Sequence, residues 1–267
     1  METGAMTFHA SISNSSYHAH EAISSSDVKM VFKSTLAHWQ AKTYRSSPTF
    51  DLGTAVHAMV LESHLDLVER GPETRRGKEW STAYEDAQAE GKTLLTAGDY
   101  DIAREMADSL LFHPVGQRMS NGSTINEGSF FAVDPTTQLA LKTRPDAFWQ
   151  ERGVIYDIKT CQDASPHGFG KDVQTYAYAI QAAFYMHVLR CAGYQADQFV
   201  FACVEKAAPY AVATHVLSPE YLAWGERMMH ETLAKIANAQ QSGHFDTGWS
   251  HEVNVLELPR WLQADTI

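Results

Sequence analysis

Through the first part of the chain, apolar residues recur every three to four positions, the spacing of helices with one buried face. Residues 28–32 form one such run, and Ser24-Ser25-Ser26-Asp27 before it supplies candidate N-caps. Residues 50–61 form a second, with Leu52, Val56, Met59 and Val60 on one side. Residues 78–89 and 97–112 continue the pattern, which His113-Pro114 stops because proline cannot extend a helix. After Gly122 the runs shorten and become β-rich: 124–133, 139–149 and 153–159, separated by Asp134-Pro135 and Glu151-Arg152-Gly153. Helical spacing returns over 166–174 and 176–190. Strand-like runs follow at 198–205 and 210–217, joined by a turn at Ala207-Ala208-Pro209, and Ser218-Pro219 opens a long helix to about residue 241. The order predicts one mixed α/β domain, a central mixed β-sheet flanked by helices.

Composition narrows this picture without changing it. The 267 residues are 44% hydrophobic and 20% charged, ordinary for a folded domain and unlike a disordered chain. No apolar run approaches the roughly 20 residues needed to span a bilayer, and the N-terminus lacks a basic-then-apolar leader pattern, so a cytoplasmic protein is expected. Residues 1–22 read as a cloning remnant, with a natural start at Met6, followed by a loosely ordered lead-in. Residues 23–267 read as a single domain. Cys161, Cys191 and Cys203 are odd in number and widely spaced, which argues for buried reduced thiols over disulfides or a cysteine-held metal. The net charge of −11 disfavours gripping nucleic acid over the whole surface, and leaves a local basic groove or a bound divalent cation to supply the attraction.

Candidate chemistry concentrates in Thr143-Arg144-Pro145-Asp146 and Tyr156-Asp157-Ile158-Lys159-Thr160. Asp157 and Lys159 are two apart on a predicted strand and therefore share a face. A turn at Gly153 between two strands brings Asp146 back beside Asp157. Two carboxylates offer hard oxygen ligands for Mg²⁺ or Mn²⁺, and an adjacent ammonium can orient water and offset charge on a phosphate. An isolated Asp-x-Lys is more often a solvated salt bridge on an edge strand, but here the motif lies among Val154, Ile155, Tyr156 and Ile158. Elsewhere, Ser24, Ser25 and Ser26 can cap a helix or hold a 5′ phosphate at its N-terminus. Arg75, Arg76 and Lys78, beside Trp80, form either a DNA-backbone contact or a solvated charged loop.

These motifs resemble the PD-(D/E)xK nuclease superfamily, and within it the RecB-like clade that includes RecE-type exonucleases. The likeness rests on Gly53-Thr54-Ala55-Val56-His57, Arg144-Pro145-Asp146, Asp157-Ile158-Lys159 and Gln181-Ala182-Ala183-Phe184-Tyr185, in the order the clade shows. Ile23-Ser24-Ser25-Ser26-Asp27 and Leu256-Glu257-Leu258-Pro259-Arg260-Trp261 extend it over nearly the whole chain. Thr143 departs from it, where many members carry Gly. The resemblance implies that His57, Asp146, Asp157 and the Ile158 carbonyl bind metal, two Mg²⁺ (or Mn²⁺) per site, and that Lys159 is the catalytic lysine. Gly53 would let the His57 helix pack closely. Gln181 and Tyr185 would line the site or touch DNA, in preference to Gln174 and Tyr178, which share their spacing. Glu127 would lie near the metals, although an exposed strand glutamate reads equally well. The activity implied is 5′-to-3′ degradation of one strand of linear double-stranded DNA, leaving 3′ tails for recombination. The implied assembly is a homotetrameric ring working with a single-strand annealing protein of the RecT type in a bacterial or phage setting. The alternatives are an endonuclease or Cas4-like enzyme of the same fold, the latter disfavoured by the absence of clustered cysteines, and a non-catalytic DNA-binding protein. Thirteen scattered histidines without a His-Glu-x-x-His motif give a zinc hydrolase little support.

Overall fold

Two of the three β-rich runs after Gly122 are not single strands. In the computed structural model, which describes residues 7–9, 12–43, 48–246, 248–249 and 252–258, each breaks in the middle and passes from one sheet to another. The run 124–133 divides into β4 (Ile125–Asn126) and β5 (Ser129–Val133), and 139–149 divides into β6 (Ala140–Thr143) and β7 (Ala147–Trp149). The first break falls at Glu127, whose φ of 49° is left-handed and cannot continue a strand. The second falls at Arg144-Pro145-Asp146, where proline has no N–H for a ladder. The two breaks lie side by side, since the Glu127 N–H donates to the Asp146 carbonyl at 3.1 Å.

β5 and β6 form a hairpin to which β1 (Thr7–His9) adds, giving a three-stranded sheet in the order β1-β5-β6. β4 and β7 join β8 (Val154–Cys161), β9 (Gln198–Glu205) and β10 (Val212–His215) in a five-stranded mixed sheet ordered β10-β9-β8-β7-β4. Only β8 and β9 are parallel, along the whole length of β8. On its other side, β8 is paired with β7 only from Val154 to Tyr156. From Asp157 onward that edge of β8 has no strand partner among the described residues.

Helices cover both faces of this sheet. On one side α4 (Pro48–Leu61), α6 (Ala97–Phe112) and α7 (Pro114–Ser120) bury Ala55, Val56, Met106 and Leu110 against Ile158, Ala202 and Val204. On the other, α8 (Pro166–Thr175) and α9 (Tyr178–Cys191) bury Phe169, Ala182 and Met186 against Phe148, Ile155, Phe199 and Phe201. α9 is apolar nearly all round, because α2 (Ser25–Lys33) and α10 (Pro219–Ser242) pack on its outer side together with the β5–β6 hairpin. Gly225 of α10 permits this contact: a Cβ there would stand 2.4 Å from the Ala179 carbonyl oxygen.

Several expectations need correction. The N-terminal lead-in is not loose throughout, since α1 (Asn14–Ala19) is capped by Ser13 and Tyr17 is buried. The short helix α3 (Leu36–Gln40) and a parallel pair, β2 (Val68–Arg70) with β3 (Thr93–Leu95), bridged by α5 (Gly77–Ala89), carry too few apolar positions for the pattern to reveal them. The run 210–217 contracts to β10. Gly53 meets nothing closer than Thr160 Oγ1, 3.9 Å from where a Cβ would lie, so close packing does not require it. The Met1–Met6 segment and Pro259-Arg260-Trp261 lie outside the described residues. Among the described residues no helix is long and apolar enough to cross a membrane.

Candidate metal centre

The freed edge of β8 organises the site. With no strand beside it, the Ile158 N–H donates instead to Asp146 Oδ2 at 2.6 Å, and the Ile158 carbonyl lies 3.1 Å from His57 Nε2. The other imidazole nitrogen, Nδ1, is 3.5 Å from Asp146 Oδ1. His57 reaches this point from α4 because its helix is held against Ile158 by Ala55 and Val56. Glu127 completes the group: single donor atoms of His57, Glu127 and Asp146 all lie within 4.8 Å of one another. The two strand breaks are therefore what bring both carboxylates to the metal-sized gap.

The electrostatics of this group show a shortage of positive charge. Burial and the neighbouring Asp146 push the Glu127 carboxyl up to about 8, with His57 opposing. Burial should lower the His57 imidazole, but the Asp146 carboxylate against it wins and raises it to about 9. Asp146 is held below the usual carboxylate range despite burial, mainly by His57. A buried acid, Asp146, and a half-buried one, Glu127, thus crowd one imidazole. A nitrogen and two carboxylate oxygens, with the Ile158 carbonyl beside them, are donors a hard or borderline divalent cation accepts, and its charge would replace the protons held there. The residues fit a metal.

Asp157 and Lys159 project from the opposite face of β8, the one carrying Ile155 and Cys161 toward α9. Their side chains form a direct ion pair. Asp157 Oδ1 also accepts from Gln181 Nε2 at 2.8 Å, and Gln181 Oε1 accepts from Lys29 Nζ of α2 at 2.8 Å. Burial raises Asp157, with the Lys159 ammonium as the main counterweight. Burial would lower Lys159, yet Asp157 holds it up at about 12, so it is an ammonium at neutral pH. The ring of Tyr178 lies under both cations, its centroid 4.8 Å from Lys159 Nζ and 5.5 Å from Lys29 Nζ.

The structure therefore brings together His57, Glu127, Asp146, Asp157, Ile158, Lys159 and Gln181. Tyr185 lies half-buried one turn beyond Gln181, its phenol pushed well up by burial and eased slightly by the nearby, buried Ser25. Ser24 is occupied in a reciprocal cap of α2: its N–H donates to Asp27 Oδ2 at 2.8 Å and its hydroxyl accepts from the Asp27 N–H at 3.4 Å. Ser26 is exposed. Arg75 pairs with Asp99 at 3.3 Å and lies over Trp80, while Arg76 and Lys78 are exposed at the start of α5. Sequence reasoning missed Lys29 and set Tyr178 aside. Gln174 and Tyr178 are not on one helix, because Ala177 at a φ of 53° separates α8 from α9 and leaves Gln174 exposed. Tyr178 was passed over together with Gln174 on family context, but it meets Lys159 without Gln174.

A mixed sheet flanked by helices, with acidic residues at strand breaks and an Asp-x-Lys strand, defines a PD-(D/E)xK-like nuclease fold. The chain matches the family described as PDDEXK-like domain of unknown function (DUF3799) over residues 22–256, and it belongs to that family. No curated protein matches it. Among solved structures it is similar to a "putative exonuclease" from Eubacterium rectale, with a TM-score of 0.62 and 14% identity over 96% of this chain and 99% of the other. A phage related exonuclease from Haemophilus somnus 129PT aligns over 85% of this chain and 97% of its own, at 11% identity and a TM-score of 0.38. The first likeness speaks for the fold, and the second is too distant to add to it.

Proposed function

We propose that this protein is a Mg²⁺-dependent exodeoxyribonuclease that degrades one strand of linear double-stranded DNA from its 5′ end, leaving a 3′ single-stranded tail. The observation carrying this is the division of labour across the free edge of β8. An under-neutralised His57–Glu127–Asp146 group stands on one side and a charge-balanced Asp157–Lys159 pair on the other. Bound Mg²⁺ or Mn²⁺ would polarise the phosphate and lower the pKa of the attacking water. His57, Glu127, Asp146 and the Ile158 carbonyl are the donors for that ion. A second ion would draw on Asp157. Lys159, protonated throughout the neutral range, holds the water and the phosphate oxygens in line and does not act as the base. Gln181 orients Asp157, and the Tyr178 face keeps Lys159 from swinging away.

The RecE-type motifs noted above and the name of the Eubacterium rectale neighbour support an exonuclease over other nucleases of this fold. A ring of four copies around DNA would reconcile the net charge of −11 with substrate binding, by placing acidic faces outward and Mg²⁺ sites inward. Its 3′-tailed product suits a strand-annealing partner of the RecT type. The test is digestion of linear duplex labelled at either the 5′ or the 3′ end, beside closed circular DNA. Early release of the 5′ label with the circle intact is expected. Cutting of the circle would identify an endonuclease, and early loss of the 3′ label the opposite polarity. A monomer by mass measurement would remove the ring.

A further inference from the structure

A second constellation of ligating side chains stands apart from β8, where the β5–β6 hairpin meets α9 and α10. Asp134 follows β5 and is fully buried. Its Oδ2 is committed to the hairpin, accepting from the Thr137 N–H at 2.7 Å and the Thr137 hydroxyl at 2.6 Å. Its Oδ1 turns the other way, 2.7 Å from His187 Nε2 on α9. His230 of α10 approaches the same point, its ring edge-on to His187 with centroids 4.9 Å apart. Donor atoms of Asp134, His187 and His230 all lie within 4.8 Å of one another. The Cys191 thiol, one turn along α9, flanks the group at 3.5 Å from His187 Nε2.

We infer that Asp134, His187 and His230 form a second metal site, selective for a borderline transition ion such as Zn²⁺ and independent of the nuclease centre. Two imidazoles and a carboxylate are the donor set of tetrahedral Zn²⁺ sites, which hold nitrogen and oxygen at about 2.0–2.2 Å. That geometry sets ligand atoms roughly 3.3 Å apart, so Asp134 and His187 need separate by only about half an ångström. Mg²⁺ prefers oxygen-rich octahedral shells and is a poor match for two imidazoles. The carboxylate is pre-aimed, because Thr137 holds its second oxygen, as outer partners orient ligands in metal sites generally. The frame is also fixed: Gly225 locks α10 against α9 one turn and a half before His230. His230 is exposed while Asp134 is buried, so an ion has a path in from the His230 side.

The test uses the full chain carrying Asp146→Asn, which disables the nuclease centre and keeps the two sites distinguishable. After chelator treatment, Zn²⁺ is titrated by calorimetry in the presence of excess Mg²⁺, and again with His230→Ala added. His230 is chosen because it is exposed, so its loss leaves the fold intact by circular dichroism, whereas removing His187 would strand the buried Asp134 charge. About one equivalent of Zn²⁺ per chain is expected in Asp146→Asn, with affinity at least ~100-fold weaker once His230→Ala is present. No Zn²⁺ uptake by Asp146→Asn, displacement by Mg²⁺, or unchanged affinity in the double variant would each overturn the assignment.

Discussion

The two sides of β8 carry similar residues in opposite electrical states. Toward α9, Asp157 pairs directly with Lys159 and through Gln181 meets a second lysine, Lys29, which burial and the Lys159 charge push down to about 7. Toward α4, Glu127 and Asp146 have His57 as their nearest positive group, with Arg144 and Lys159 acting from further off, and burial beside Asp146 pushes Glu127 up to about 8. A balanced pair fixes an ammonium in place. An unbalanced pair is a seat for a cation from solution. The same strand supplies both because its side chains alternate, and because β7 starts only at Ala147, opposite Tyr156, leaving the Ile158 backbone free to meet Asp146 and His57.

The most severe way to break this contrast is to empty the unbalanced side. Asp146→Asn removes a proposed ligand and the acceptor of the Ile158 N–H together. Loss of the several kcal/mol a metal contributes corresponds to about 10³-fold or more in Mg²⁺-dependent cleavage of linear duplex. Lys159→Ala should cost about 10²–10³-fold in kcat while Mg²⁺ binding at the His57–Glu127–Asp146 group, measured by calorimetry, stays near its original strength, because that group lies on the other side of the strand. A parallel loss of metal affinity would show that the two sides are not separable.

Proton linkage sharpens the comparison further. Glu127, raised from its ordinary 4.5 to about 8, and His57, raised from 6.5 to about 9, both bind protons more tightly in the folded than the unfolded chain. Metal-free stability from these groups is therefore complete at low pH and is lost as pH rises through 8 and 9. Metal affinity runs the other way, rising with pH and levelling off above about 9 as the competing protons leave. Thermal unfolding with EDTA and with Mg²⁺, across pH 6 to 10 (~one-unit steps), should give curves that diverge with pH. The smallest effect belongs to Gln181→Leu. It takes one hydrogen bond from a buried carboxylate, about 1–3 kcal/mol in stability by denaturant titration, and should lower cleavage roughly tenfold.

Legibility in the sequence followed this same division. Asp157 and Lys159 were readable because strand alternation is a local rule and one residue separates them. The helices α4, α6, α9 and α10 were readable from long apolar periods. The breaks in the β-rich runs were not, because a left-handed Glu127 leaves no mark on hydrophobic spacing, although Pro145 was a signal that the second run could not be continuous. Glu127 itself looked like a strand residue for that reason. Lys29 and Tyr178 enter the site through the packing of α2 and α9, and their separation in sequence from Asp157 and Lys159 hides the contact. His57 could be singled out only through its family-like companions, since one histidine on an apolar helix has no local signature of ligation.

The most direct measurement is digestion of linear double-stranded DNA by the unaltered chain, titrated from EDTA into Mg²⁺, with Asp146→Asn as the control for contaminating nuclease. Cleavage that is absent in EDTA, rises to saturation with Mg²⁺, and fails in the variant at every Mg²⁺ concentration is the predicted result. Equal cleavage by the two proteins, or cleavage that persists in EDTA, would contradict a metal-dependent nuclease centred on Asp146.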